Sequence, residues 1–486
     1  MRKRTVTALL SITLFTACTN EGGVSVNTNT NRNSISTPAF QNVSVHDPSV
    51  VKADDTYYVF GSHLAAAKSR DLMSWTQVSS GVQDGNPLIP NVTEELRETL
   101  DWAQSDTLWA ADVIQLADGK YYMYYNACKG DSPLSAMGIA ISDHIEGPYK
   151  NAGIFLKSGM AGLGDDGEIY DATQKPNVVD PHVFFDKDSK LWMVYGSYSG
   201  GIFILEMDSK TGFPRPGQGY GQKLLGANHA RIEGPYMLYS PETDYYYLFL
   251  SYGGLDANGG YNIRVARSKS PDGPFEDAEG QDMIDAKGTA GVIFDDPAYS
   301  PYGVKLLGNF ELESVEGEGR GHGYVSPGHN SAYYDEMSGK YYLIFHTRFS
   351  GRGEEHEVRV HQMFLNSEGW PVVAPHRYAG ETIGTYKQQD VTGKYHYVNH
   401  NKIITADIVL SKVIELTPDG QISGAVTGTW ALEGEHAAEL TIDGNVYKGV
   451  FSREWDAAAE QEVMTFTAGS KEGISIWGSH VSAATK

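Results

Sequence analysis

Polar, turn-forming starts alternate along this chain with compact apolar runs, and the alternation returns five times. The runs are Tyr57-Tyr58-Val59-Phe60, Tyr121-Tyr122-Met123-Tyr124, Leu191-Trp192-Met193-Val194, Tyr246-Tyr247-Leu248-Phe249 and Tyr341-Tyr342-Leu343-Ile344. Ahead of them stand His46-Asp47-Pro48, Ala110-Ala111-Asp112, Asp180-Pro181-His182, Glu233-Gly234-Pro235 and Gly328-His329-Asn330, each leading through a few strand-like residues, with turns such as Asp54-Asp55 or Asp118-Gly119 between. Short apolar runs bounded by turn signals read as strands, and strand, turn, strand reads as a hairpin. A second feature keeps phase with the first: after each run a strand ends in a small or polar residue, then a turn, then an aromatic. Its copies are Ser69 to Trp75, Ser142 to Tyr149, Asp208 to Phe213, Ser268 to Phe275 and Asn366 to Trp370. Two hairpins per repeat make a four-stranded sheet, and radial repetition of such sheets protects their edges. The pattern predicts an all-β fold built on a five-bladed β-propeller over residues 39–383.

After Glu381 the pattern changes. Shorter alternating runs follow (Ile403 to Leu410, Val413 to Leu416, Thr429 to Leu432, Glu439 to Ile442, Val446 to Phe451, Val463 to Phe466, Ile474 to Trp477), broken by Asp419-Gly420 and Asp443-Gly444. They predict a separate β-sandwich or small barrel over residues 384–486. It shows no cluster of carboxylates or histidines, so a packing or accessory role is expected of it.

Composition narrows the partners. A net charge of −23 argues against nucleic acid and against adhesion to anionic lipid, and makes polygalacturonate an awkward substrate, so a neutral glycan is favoured if the ligand is a sugar. The two cysteines exclude a disulfide scaffold. Arg2-Lys3-Arg4, an apolar stretch from Val6 to Phe15 and Thr16-Ala17-Cys18 predict a lipoprotein-type export signal over residues 1–17. Cys18 would then be acylated as the mature N-terminus and would be the only link to a membrane; a chance cysteine after an ordinary signal is the alternative. Residues 18–38, rich in Asn, Ser, Thr and Gly, suit a solvated tether. An exported protein, extracellular or on the cell surface, is expected, acting as a monomer.

In a propeller the first strand of each blade lines the central channel, so equivalent positions in different blades meet near the axis. The repeat puts Asp47, Asp180, Glu233 and His329 at such positions, with Asp112 close to another. Glycoside hydrolysis needs this kind of convergence: one carboxylic acid to protonate the leaving oxygen and one carboxylate to activate water on the opposite face of the sugar. Like charges that close repel, which raises the proton affinity of one of them. Glu233 has a rival, because Ile145-Glu146-Gly147-Pro148-Tyr149 copies Ile232-Glu233-Gly234-Pro235-Tyr236. Register separates them: Ala140 to Tyr149 aligns with Ala266 to Phe275, which assigns Glu146 to an outer hairpin.

His46-Asp47-Pro48-Ser49, Val179-Asp180-Pro181-His182 and Arg231-Ile232-Glu233-Gly234-Pro235-Tyr236 resemble the signature segments of glycoside hydrolase family 43, and Trp109-Ala110-Ala111-Asp112-Val113 is similar to another of its blade-opening motifs. The tail resembles the extra β-domain of the family's two-domain extracellular endo-α-1,5-L-arabinanases. Tyr195-Gly196-Ser197-Tyr198-Ser199-Gly200-Gly201 and Gly328-His329-Asn330-Ser331 point the same way. The resemblance implies Asp47 as general base, Glu233 as general acid, and Asp180 as the residue that orients the acid and tunes its pKa. It implies inversion, with the working carboxyls about 6.5–9.5 Å apart. His329 matches the histidine through which these enzymes hold a metal, usually calcium; since calcium prefers oxygen, waters would fill most of its shell. Trp109, Asp112, Asn177, Ser197 and His229 would join the three acids in touching substrate. Ala111 departs from the proline many relatives have there, which bears on a turn more than on chemistry.

The expected activity is endo-hydrolysis of α-1,5-L-arabinofuranosidic linkages in arabinan. The alternatives are an exo-acting α-L-arabinofuranosidase or β-xylosidase of the same family, and a non-catalytic glycan-binding propeller, which need not retain two separated acids. Endo action needs a groove open at both ends. The longest insertion between repeats, Tyr261 to Gly328, is glycine- and acid-rich and reads as too polar and flexible to wall off one side. His46, His182 and His229 could support the site or be structural, and Trp102 suits core packing at least as well as a sugar face.

Overall fold

The structure, a computed structural model, describes residues 37–313 and 322–481. The export signal, Cys18 and most of the tether expected from the sequence lie outside the described residues. Five antiparallel sheets follow in chain order. Blade one is Ser49–Ala53, Thr56–Phe60, Ala66–Ser69 and Thr76–Ser79; blade two is Asp112–Gln115, Tyr121–Cys128, Ser135–Ser142 and Lys150–Ser158. Blade three is His182–Phe185, Leu191–Tyr195, Ile202–Met207 and Gln222–Leu225; blade four is Ile232–Ser240, Tyr245–Tyr252, Asn262–Ser268 and Val304–Leu307. Blade five is His322–Asp335, Lys340–Arg348, His356–Leu365 and Pro371–Val373, extended on its inner edge by Phe310–Leu312 and Val409–Leu410.

The five apolar runs are the second strands of the five blades, buried on both faces. The second repeated feature has one physical cause. The polar residue at the end of each third strand, or next after it, accepts a hydrogen bond from the N–H two residues on: Ser69 from Asp71 (3.2 Å), Ser142 from His144 (3.0 Å), Asp208 from Lys210 (2.9 Å), Ser268 from Ser270 (3.1 Å) and Asn366 from Glu368 (3.0 Å). That local bond starts the turn, and Trp75, Tyr149, Phe275 and Trp370 then bury themselves under it.

Hydrophobic clusters fill the seams between neighbouring blades. Blades one and two meet around Phe60, Val113 and Met123, and blades two and three around Tyr124, Val183 and Met193. Blades three and four meet around Ile204 and Leu248, and blades four and five around Phe249 and Phe345. Val59 and Trp75 pack with Ile344 and Val358, so blade one closes on blade five. Burying apolar area on both faces of every sheet is what holds the ring together.

The segment expected as an insertion, Tyr261 to Gly328, instead supplies the outer half of blade four and the Phe310–Leu312 edge. The tail is a closed eight-stranded barrel: Gly393–Asn399, Lys412–Leu416, Gln421–Gly424, Gly428–Glu433, Ala437–Ile442, Asn445–Asp456, Gln461–Ser470 and Ser475–His480. Three details differ from the sequence reading, one of them the short barrel strand Gln421–Gly424, for which no run was expected. Of Ile403 to Leu410 only Val409–Leu410 is strand, and it pairs in parallel with Phe310–Leu312 of the propeller. The barrel's first strand, Gly393–Asn399, was not foreseen, because its apolar residues are interleaved with Lys394, His396 and Asn399.

Candidate active site

Asp47 and Asp180 each stand just before an inner strand, in a left-handed backbone at φ 58° and 56°. Aspartate is among the few side chains that tolerate this conformation, and holding it costs about 1 kcal/mol or more. Glu233 opens blade four at a register shift between Glu233 and Tyr236, and His329 lies where blade five shifts register twice, between Val325 and Ser331. Bulges of this kind re-aim side chains next to active sites.

These four residues come together. His329 Nδ1 lies 3.0 Å from Asp47 Oδ1, and its ring packs on Gly234, where a Cβ would stand 3.0 Å from His329 Cγ. Asp180 Oδ2 accepts the Gly234 N–H at 3.2 Å. Ser251 Oγ, whose residue pairs with Glu233 across the hairpin, accepts the His329 N–H at 2.7 Å. Asp47 Oδ2 accepts from Ser62 Oγ (2.5 Å) and faces His46 Nδ1 (2.7 Å), while the Asp47 N–H donates to His346 Nδ1 (3.1 Å). Glu233 is held at both oxygens, by Ser197 Oγ (2.7 Å) and Tyr261 Oη (2.9 Å).

Charge divides the carboxyls. Burial would raise the pKa of Asp47, but the imidazoles of His329 and His46 outweigh it and hold the carboxyl well below its usual range. Burial pushes Glu233 up against the pull of His329 and of its two hydroxyl partners. Asp180 rises to about 8, by burial first and then through the charges of Glu233 and Asp47, with His329 opposing. His329 itself, which burial would lower, is raised to about 9 by Asp47 and Asp180. Titratable neighbours whose environments push them apart are what acid–base work requires: an ionised group poised as base and a protonated group poised as acid.

Other expected residues are placed as follows. Ser197 meets the acid directly. Asn177 is buried and accepts from Ser135 Oγ at 2.6 Å. Asp112 is 2% exposed, with one oxygen engaged by Ser49 Oγ and the other accepting the Val183 N–H at 2.7 Å. That geometry makes Asp112 a strut tying blades one, two and three. Trp109 is half-buried and lines a depression of about 650 Å³ with Gln104 and Gly130. His229 is half-buried, its N–H on the Ser199 carbonyl at 2.9 Å. His182 stacks on Tyr236 at 3.5 Å and bonds the Met237 carbonyl at 3.1 Å, so it supports the strand behind Glu233. Trp102 is half-buried, with Nε1 on the Ser158 carbonyl at 3.4 Å. Glu146 sits between the third and fourth strands of blade two, bound by Lys68 (2.6 Å) and Tyr58 (3.0 Å), in the outer position its register predicts.

Sequence reasoning missed Ser62, Tyr261 and His346. Ser62 had a signal: Phe60-Gly61-Ser62 repeats Tyr195-Gly196-Ser197 at the end of a second strand, and both serines donate to a channel carboxylate. Tyr261 had none, because its ring reaches Glu233 by lying over Gly328, where a Cβ would stand 1.9 Å from Tyr261 Cδ1.

The surroundings of His329 fit a cation. Three buried carboxyls face one imidazole, and next in the chain Asn330 Oδ1, Asn330 Nδ2 and Ser331 Oγ are buried without a partner among the described residues, as expected beside an ion and its waters. His329 is outside the two triads of metal-capable side chains among the described residues, His46–Asp47–His346 in the channel and His322–His376–Asp456 where the barrel meets blade five.

The family described as Glycosyl hydrolases family 43 matches residues 37–298, and one described as C-terminal lipocalin-like domain matches residues 375–478. The chain is 66% identical over 442 residues to extracellular endo-α-(1→5)-L-arabinanase 2 of Bacillus subtilis, covering 91% of this chain and 94% of that one. The crystal structure of a family 43 glycoside hydrolase from Bacillus licheniformis superposes with a TM-score of 0.90 at 68% identity, covering 91% of this chain and 99% of that one. That of endo-1,5-α-L-arabinanase from Thermotoga petrophila gives 0.88 at 52% identity, covering 92% and 100%.

Proposed function

The chain belongs to glycosyl hydrolases family 43, and from that premise we infer that it cuts α-1,5-L-arabinofuranosyl linkages within arabinan. The observation that carries the chemistry is the pair of buried carboxyls, Asp47 and Glu233, with His329 on Asp47 and against Gly234, and with proton affinities pushed in opposite directions. Glu233 gives its proton to the glycosidic oxygen as the C–O bond breaks, while Asp47 takes a proton from the water that forms the new bond on the other face of the sugar. The product is inverted; Asp47 then returns its proton to solvent and Glu233 regains one. Ser197 and Tyr261 fix where the acid points. Asp180 acts on it through Gly234 and through charge. The specificity rests on the relatives' names: at 66% and 52% identity over nine-tenths of the chain they are endo-arabinanases.

His329 is our choice for holding one calcium ion, with waters completing its shell; bound there it would supply positive charge among the carboxyls. The relatives are named extracellular, and this chain is exported in the same way. Anchoring through an acylated Cys18 is the finer reading, and intact-mass analysis of the exported protein decides it: an unmodified N-terminus would remove the anchor.

Early digestion of debranched arabinan is expected to give a spread of oligosaccharides and a fast fall in viscosity. Arabinose alone from the first minutes, with chain length barely changed, would overturn endo action in favour of an exo-arabinofuranosidase.

A further inference from the structure

Three large apolar side chains stand exposed in succession, Val292 at 46%, Ile293 at 69% and Phe294 at 50%. They lie between the third and fourth strands of blade four. Single exposed apolar residues are ordinary, but an apolar ridge is a mark of contact with something. The backbone strengthens the point. Phe294 is left-handed at φ 58°, with its carbonyl accepting the Asp296 N–H at 2.9 Å. A bulky side chain rarely adopts this conformation, and here the result is to hold the ring out of the core.

The ridge is bolted to the segments that position the acid. The Phe294 ring stands edge-on to Tyr198, 5.7 Å between centroids and 75° between planes, and 5.6 Å from the Arg231 guanidinium. Tyr198 follows Ser197, which holds Glu233, and Arg231 stands two residues before Glu233. Asp296 binds Arg231 through Nε at 3.0 Å, and the Tyr299 hydroxyl accepts the Arg231 N–H at 3.0 Å. The ridge therefore packs on Tyr198 and Arg231, which flank Ser197 and Glu233 in the chain.

We propose that Phe294, with Ile293 beside it, is a sugar-binding platform on which an arabinofuranosyl unit of the polymer, beyond the two that span the cut bond, rests an apolar C–H face. The inference rests on the arabinan reading. A furanose presents C–H edges between its hydroxyls, and an exposed aromatic offers apolar area while losing little side-chain freedom.

The test compares linear arabinan with arabinobiose, whose two units fill only the positions that span the cut bond, for wild type, Phe294→Ala, Phe294→Trp and Ile293→Ser, each checked by its melting curve. Phe294→Ala should raise KM on linear arabinan about threefold to tenfold, the scale of one aromatic contact, with kcat within about twofold. Its activity on arabinobiose should be unchanged, Phe294→Trp should restore the polymer KM, and Ile293→Ser should show a smaller effect of the same kind. Equal losses on both substrates would overturn the proposal, since the ring would then be supporting Arg231 and the acid. Unchanged kinetics on both would overturn it as well. If wild type leaves arabinan uncut, the arabinan reading has failed instead.

Discussion

Glu146 and Glu233 sit in the same five-residue sequence, and the fold gives them opposite surroundings. Glu146 is partly exposed and paired with Lys68; Glu233 is buried among hydroxyls and carboxyls. Glu233→Gln and Asp47→Asn should each lower kcat about a hundredfold or more with the fold intact, the scale of lost proton transfer. Glu146→Gln loses one partly exposed ion pair worth about 0–1 kcal/mol and should leave kcat unchanged. Steady-state kinetics of the three variants on arabinan check this; equal damage from Glu146→Gln would break the register argument. Asp47, Asp180, Glu233 and His329 were legible because their positions recur in phase. Tyr261 and His346 were not, because they reach the site through a ring lying on a glycine and through a backbone N–H, and neither contact leaves a pattern in sequence.

At the scale of elements, the hairpins were legible for a simple reason: each carries both its apolar run and its turn chemistry locally. The outer half of blade four was not, since its loops hide the spacing between Asn262–Ser268 and Val304–Leu307. What sequence could not show in blade five is the double register shift that swings His329, at φ 43°, against Asp47 and Gly234. This displaced histidine is the basis of the metal proposal. A cation bound only by the folded state stabilises by mass action, about 2.7 kcal/mol at a hundredfold excess over Kd. Exhaustive chelation should therefore lower the melting temperature by several degrees, and calcium should restore it. His329→Ala should melt alike with and without calcium. Wild type that melts unchanged after chelation, with no metal by elemental analysis, would end the proposal.

The two domains read from sequence as a catalytic ring and a separate module, and the described residues from 38 onward cluster as one compact unit. Trp477, from the barrel's last strand, is fully buried in the seam of blades four and five, edge-on to Phe310 at 5.0 Å. Val409–Leu410 extends the blade-five sheet, and the buried guanidinium of Arg264 in blade four donates to the Lys402 carbonyl at 2.6 Å. None of this was visible beforehand: a two-residue parallel pairing has no periodicity, and an apolar residue in a barrel strand does not announce which core it enters. Removing residues 384–486 would expose the Phe310–Leu312 edge, empty the Trp477 site and take from the buried Arg264 the Lys402 carbonyl that accepts from its Nη2, a set of costs that marginal stability does not absorb. The propeller alone is therefore expected to be insoluble or to melt far below the full chain. In the full chain Trp477→Ala should cost about 3–5 kcal/mol and lower a single unfolding transition shared by both parts. Calorimetry distinguishes the cases. Two separate transitions, or an isolated residue 39–383 propeller with the full chain's melting temperature and arabinan activity, would show that the barrel is an appendage after all.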